Sequence, residues 1–128
     1  MSATLIHLDT GFLIGSTGRG FRENTELRRW MSSGLKFGVS AVAWSEFLCG
    51  PLDEESYNFA VEIVGAPEPF IAADAQVAAE FFNLSGRRKG HLADCMIAAT
   101  AVRLGAALAT TNPRDFQKMR GLVVNPDW

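Results

Sequence analysis

The sequence predicts an α/β fold of three layers, α/β/α, around a central parallel sheet of four to five strands. Short apolar runs of strand length alternate with segments of helical periodicity from one end of the chain to the other. The stretch from His91 to Phe116, HLADCMIAATAVRLGAALATTNPRDF, reads as helix, strand and polar loop, one arm of a βαβ unit. With 48% hydrophobic residues in 128, the chain has material for a single core, so residues 1–128 are expected to form one domain.

Thr4 to Leu8 is apolar enough for a buried strand and stops at Asp9-Thr10-Gly11. Phe12 to Ile14 should open a short helix that the glycines at 15, 18 and 20 cut off. Glu23 to Ser33 is helical, with Leu27, Trp30 and Met31 on one face, and Gly34 stops it. Leu35 to Ser40 is a second strand, and Ala41 to Cys49 a helix ended by Gly50-Pro51. Asp53-Glu54-Glu55 make the acidic first turn of a helix reaching about Val64. An extended piece bracketed by Pro67 and Pro69 runs into Phe70-Ile71, and Ala73 to Leu84 is helical again. A basic loop flanked by Gly86 and Gly90 precedes Asp94, which opens a segment without charge until Arg103. Cys95 to Val102 is apolar nearly all round, as a buried helix is, and Gly105 ends it. Ala106 to Ala109 should be a strand, residues 113–118 a short helical turn, and Leu122 to Val124 the last strand.

Composition excludes several classes. A net charge of −2 and a pI near 5.6 give no global affinity for polyanions, so a nucleic acid would need a local basic patch or bridging cations. Cys49 and Cys95 lack metal-ligand spacing and sit among apolar neighbours, which suggests two core thiols in a reducing cytoplasm. No apolar run approaches the roughly 18 residues of a membrane helix, and no signal peptide is expected.

The acids fall in a pattern. Ligand sites of open parallel sheets collect beyond the carboxyl ends of the strands. Asp9 follows the first strand directly, Glu46 follows the second by one to two helical turns, and Asn112 and Asp115 follow the strand at 106–109. Asp94 stands at a helix N-terminus that shares that edge. Clustered carboxylates repel unless a cation compensates them, and oxygen donors without His or Cys point to Mg²⁺ or Mn²⁺. Such ions are the equipment of phosphodiester hydrolysis. Each residue also has a structural explanation. Asp9 can cap the next helix, Asp94 can answer a helix dipole, Asp115 can cap a last turn or face solvent, and Asn112-Pro113 is a common turn. Glu46, between Trp44 and Leu48, would be costly amid aromatics unless paired. The joint arrangement carries more weight than any one member.

Three blocks, LDTGFLI (8–14), VSAVAWSEFLCG (39–50) and LADCMIAATAVRLGAALATTNPRDF (92–116), resemble the PIN-domain family. In particular they resemble the small VapC-type ribonuclease toxins of type II toxin–antitoxin systems. The resemblance spans essentially the whole chain and implies a PIN-like fold and a metal-binding endoribonuclease, a hydrolase in which Mg²⁺ or Mn²⁺ activates water against RNA. Asp9, Glu46 and Asp94 match the family's first three acids. Asn112 matches the fourth place, Asp115 is the nearest carboxylate, and Thr110 and Thr111 offer hydroxyls to a carboxylate or metal-bound water. Gly11 stands where a small polar residue is more usual, and Asn112 removes one charge, which weakens any second cation. The resemblance also implies a homodimer and a cognate antitoxin that inserts a basic side chain among the acids.

Arg87-Arg88-Lys89 is the candidate nucleic-acid contact, gripping phosphates without reading sequence; the plain alternative is a solvated loop. Arg19 and Arg22 are weaker candidates, His7 reads as a core histidine, and the Trp30 and Trp44 regions are candidates for an antitoxin groove. Unpaired RNA suits a shallow acidic site better than duplex. Competing readings are a non-toxin RNA-processing nuclease, a catalytically silent module of the same fold, and a phosphoacceptor-type module. The last would want a strand-end lysine, and Lys36 is at the wrong end.

Overall fold

In the computed structural model, which describes residues 4–126, three parallel strands carry the chain. They are β1 (Leu5–Leu8), β2 (Lys36–Gly38) and β3 (Ala107–Ala109), in the order β2-β1-β3. Register pairs Ile6 with Phe37 on one side and with Ala107 on the other. Helices α1 (Thr10–Ser16) and α2 (Arg22–Ser32) link β1 to β2. Beyond β2 come α3 (Ala41–Cys49), α4 (Glu54–Val64), α5 (Ala72–Leu84) and α6 (Leu92–Arg103), before β3 and a 3₁₀ turn at Pro113–Phe116.

The sheet has fewer strands than the four to five expected from sequence. Each missing strand survives as a single bridge. Glu68 pairs with Ser40 beyond β2, and Val124 pairs with Leu108 beyond β3. Pro67 and Pro69 flank Glu68 and lack the N–H that a longer ladder needs, while Gly121 and Asn125, both at positive φ, bend the chain on either side of Leu122–Val124.

Counting the bridges, the chain steps one way across the sheet from β1 to β2 to Glu68, then returns through α5 and α6 to β3 on the far side of β1. Right-handed crossovers therefore put α1 to α4 on one face and α5 and α6 on the other. The reversal lies between β1 and β3, where parallel sheets open a crevice at their carboxyl ends.

Local chemistry explains the helix ends. Ser40 Oγ accepts from the Ala43 N–H at the start of α3, and Asp53 Oδ1 from the Ser56 N–H at the start of α4. The first helix begins at Thr10, earlier than expected, and runs through Gly15, where the Glu23 side chain fills the space a Cβ would need. In α6, Ile97, Ala98, Ala99, Thr100 and Ala101 are all buried, since small residues let α5 and β3 approach it closely.

The core includes Ile6, Leu8, Phe12, Leu13, Leu27 and Leu108. Trp30 belongs to it as well: only 1% exposed, it stacks on Phe12 with ring centroids 5.7 Å apart and donates its indole N–H to the Pro126 carbonyl. Its neighbour Met31 stays exposed, and Trp44 is half-buried against Phe47 and Tyr57. Cys95 is buried as expected, but Cys49 is exposed at the last position of α3, where the helix turns to solvent. His7 is buried in β1, and burial, then the nearby Arg103 charge, lowers its pKa to about 4.

One buried ion pair ties the second face together. Asp74, 1% exposed, accepts from Arg103 Nε at 2.9 Å, from the Ile71 N–H and from Thr100 Oγ1. Burial alone would raise its pKa, and the Arg103 hydrogen bond with the others outweighs that, leaving it lowered.

Candidate functional site

At the carboxyl end of β1 the chain turns directly into α1, and Asp9 is the N-cap. One carboxylate oxygen, Oδ1, accepts from the Thr10 N–H at 2.9 Å, and Oδ2 accepts from the Thr110 hydroxyl at 2.8 Å. The capping reading and the site reading of Asp9 thus describe the same side chain. Thr110 comes from the residue after β3, so this one bond spans the crevice where the chain reverses.

Glu46 sits in the middle of α3 and is exposed. Its Oε1 accepts from the Thr10 hydroxyl at 2.7 Å, which draws it to the N-terminus of α1. Glu46 is therefore not an acid buried amid aromatics, as the sequence suggested; Trp44 and Phe47 turn to the other side of the helix. Asp94 stands in the first turn of α6. Its carboxyl is pushed up to about 7, by burial first and then by the negative charges of Asp9, Asp115 and Glu46. Asp9 is also raised, by burial first; the Thr110 and Thr10 hydrogen bonds hold it back, while Glu46 and Asp115 raise it further. Four carboxylates from four separate elements therefore share one electrostatic field.

Arg88 supplies the counter-charge. Its guanidinium lies 3.0 Å from Asp115 Oδ1 and 3.0 Å from His91 Nδ1, and its charge lowers the Asp94 pKa. A guanidinium can only donate, so His91 Nδ1 accepts from it and carries no proton there. Burial, followed by the Arg88 charge, lowers the His91 pKa. The 3.3 Å approach of His91 Nδ1 to Asp94 is then a contact between acceptors rather than an ion pair. All three basic residues of the loop are exposed, and Arg88 alone among them reaches Asp115 and His91.

Asn112 enters through its backbone. Its N–H donates to Thr110 Oγ1 at 3.1 Å, and it heads the 3₁₀ turn without a side-chain cap bond. Asp115, one turn on, shares the field of Asp9 and Asp94. Gly11 has a local cause as well, since a Cβ there would stand 3.0 Å from Thr111 Oγ1. Two contributors were not singled out from sequence, Thr10 and Asn125. Thr10 had a signal, a hydroxyl one residue past an acid at a strand end. Asn125 is a polar residue closing an apolar run before Pro126.

Among the described residues no three His, Cys, Asp or Glu side chains stand close enough to make a preassembled metal cage. The donor set nonetheless suits a hard divalent cation: all oxygen, three or four carboxylates, and an Asp94 that burial first and the neighbouring acids second push up to about 7. Cysteine and histidine offer no competing soft site, because Cys95 is buried with its pKa raised to about 11 by burial and His91 is engaged by Arg88.

Fold and site together define a class: an α/β domain with carboxylates gathered at the reversal point of a parallel sheet. The family model of the PIN domain matches residues 6–122, and the chain belongs to the PIN-domain family. No curated protein matches it in sequence. Among solved structures it is similar to a chain of VapBC2 from Rickettsia felis bound to a DNA fragment from their promoter. That match has a TM-score of 0.73 and 15% identity, over 94% of this chain and 96% of that one. VapBC-1 from nontypeable Haemophilus influenzae follows with a TM-score of 0.69 and 22% identity over 94% and 96%. A toxin–antitoxin complex from Klebsiella pneumoniae gives 0.69 and 22% over 92% and 95%. No described helix is long and apolar enough to cross a membrane.

Proposed function

We propose that the chain is a Mg²⁺- or Mn²⁺-dependent endoribonuclease of the VapC type, the toxin of a toxin–antitoxin pair. The observation that carries this reading is the gathering of Asp9, Glu46, Asp94 and Asp115 at one edge of the sheet, where burial first and the neighbouring charges second push Asp94 up to about 7. Groups so perturbed by burial and by one another in a crevice mark functional sites. The structures it resembles, VapBC and other toxin–antitoxin complexes, support the toxin assignment.

In this reading Asp9, Glu46 and Asp94 hold the cation, and Asp115 fills the fourth place in preference to Asn112, which lends its backbone N–H to Thr110 instead. When bound, the cation neutralises charge developing on the phosphate and acidifies the attacking water. The protein's part is positioning. Thr10 and Thr110 orient Glu46 and Asp9, and Arg88 keeps Asp115 turned toward the site. Arg87, Arg88 and Lys89 contact the RNA backbone, and Arg88 exchanges its carboxylate partner for a phosphate when substrate arrives. The functional unit is a cytoplasmic homodimer, silenced by an antitoxin that brings a cation of its own to the acids.

The test is cleavage of a structured RNA pool by the purified protein with Mn²⁺, with EDTA, and with Asp94→Asn beside the wild type. Cutting that needs the metal and is lost in the variant supports the proposal. Metal-independent cutting, or none together with no Mn²⁺ binding by calorimetry, would overturn it.

A further inference from the structure

The segment after the 3₁₀ turn meets the sheet at a single bridge, Val124 with Leu108, and then leaves it. The Leu108 N–H donates to the Val123 carbonyl and the Asn125 N–H donates to the Leu108 carbonyl, both at 2.8 Å. At Asn125 the backbone turns left-handed, with φ +46°, and Pro126 follows. The next rung is made by a side chain. Asn125 Oδ1 accepts from the Thr110 N–H at 2.7 Å, and Asn125 Nδ2 donates to the Thr110 carbonyl at 2.9 Å. A carboxamide has the same donor and acceptor as a peptide group, so it extends the ladder one residue past the point where the backbone leaves it.

That rung bears on the acids. The Thr110 hydroxyl accepts from the Asn112 N–H at 3.1 Å, which leaves its single proton for Asp9 Oδ2 at 2.8 Å. The direction of this bond depends on where the Thr110 backbone is held, and in the plane of the sheet Asn125 holds both of its polar groups. Only a residue that tolerates a left-handed backbone and carries a peptide-like side chain meets both demands. Glycine meets the first alone, and aspartate lacks the donor.

We propose that Asn125 is a positioning residue of the acid site, acting through Thr110 to fix the orientation of the Asp9 carboxylate. It lies beyond the residues matched to the family, 6–122. The inference rests on reading these acids as a cation site. Thr110, one hydrogen bond from a ligand, is the kind of partner typically worth 10- to 100-fold in metal affinity, and Asn125 acts one step further out.

Asn125→Gly is the informative substitution, because glycine keeps the left-handed backbone and removes only the carboxamide. It is compared with Thr110→Val and with the double variant. Mn²⁺ affinity is measured by calorimetry with the metal alone, cleavage by kcat and KM on one oligoribonucleotide, and melting temperature in EDTA. Asn125→Gly is expected to weaken Mn²⁺ binding up to about 10-fold, the lower end of the range for a direct partner, and to lower kcat with KM for RNA unchanged. Added to Thr110→Val, it should weaken Mn²⁺ binding little further, because both act on the same bond. Thr110→Ser, which keeps the hydroxyl, should bind Mn²⁺ nearly as the wild type does.

Unchanged Mn²⁺ affinity in Asn125→Gly, or full additivity with Thr110→Val, would overturn the proposal even if the protein is a metal-dependent nuclease. A drop in melting temperature alone, with affinity intact, would mean a purely structural rung and would overturn it too. A wild type that neither binds Mn²⁺ nor cuts RNA would remove the underlying reading. The melting temperatures of the single and double variants would then still report whether Asn125 and Thr110 are coupled.

Discussion

Replacing Asp94 by Asn in protein stripped of cations should make it more stable, and the size of the gain follows from the crevice. Unfolded, the Asp94 carboxyl titrates near 3.8; folded, it is pushed up to about 7 by burial and by Asp9, Asp115 and Glu46. Between those values the folded state retains a proton that the unfolded state has released. Stability therefore falls as pH rises through the window from about 4 to about 7, and the whole cost is present above it. A shift of about three units corresponds to about 4 kcal/mol at about 1.36 kcal/mol per unit. The side chain is 28% exposed, so solvent and small rearrangements reduce this to about 1–3 kcal/mol. For a chain of this size that is a rise of roughly 5–10 °C in melting temperature at pH 8 in EDTA.

The assay is thermal unfolding of both proteins from pH 4 to 8. Their difference is the quantity to follow, because His7 works in the opposite sense. Its pKa is lowered from 6.5 to about 4, so its contribution is lost as pH falls through that range in both proteins alike. The advantage of Asp94→Asn should shrink toward zero near pH 4, and added Mn²⁺ should reverse it by stabilising the wild type alone. A variant equal to or below the wild type at pH 8, or a gap that ignores pH, would refute the reasoning and leave Asp94 as an ordinary helix-dipole acid.

Arg88→Ala should lower the melting temperature in EDTA at pH 8, since it removes the charge that holds the Asp94 pKa down and pairs with Asp115. It should also weaken RNA binding and flatten its salt dependence; unaltered binding in a fluorescence titration would clear the loop of that role. Gly38→Ala should cost about 1–3 kcal/mol, because a Cβ there would lie 2.9 Å from the buried His7 ring; denaturant unfolding with an unchanged midpoint would show that the ring can yield. Arg103→Met should lower stability by leaving the buried Asp74 carboxylate without its guanidinium, while RNA cleavage per folded molecule stays intact. Normal stability in that variant would mean that water reaches the carboxylate.

Most helices were legible because their ends are written in single residues. Gly34 and Gly105 were read as stops and take the positive φ at which α2 and α6 give way to strands, while Ser40 and Asp53, read as a strand end and an acidic first turn, prove to be the caps of α3 and α4. The outer strands were not. Apolar character at Leu122–Val124 signals a strand, but one bridge forms there, and the extended piece leading to Phe70-Ile71 pairs upstream at Glu68. How long a ladder grows depends on where its neighbour bends, which no local pattern records. The acids at strand ends were readable from position alone, yet the ground for Glu46 was mistaken, since exposure on α3 replaces burial among aromatics. Cys49, expected in the core, is left exposed at a helix end, while Trp30 packs on Phe12 as part of the apolar face of its helix. Asn125 could not be foreseen from pattern, because its partner lies 15 residues away and the bonds are made by a side chain imitating backbone.

The two single bridges at the rims of the sheet also bear on how the protein behaves in company. An open rim is a template on which another chain can add a strand, and long, flat rims invite fibres. Here each rim is closed by a stretch too short and too bent to copy, one beside Pro67 and Pro69, the other turning away at Asn125 and Pro126. A fragment cut back to the matched residues, 6–122, would shed the second of these covers and bare the outer edge of β3. Such a fragment would be a poor choice for crystallisation or labelling, clumping through the strand that the full chain keeps to itself.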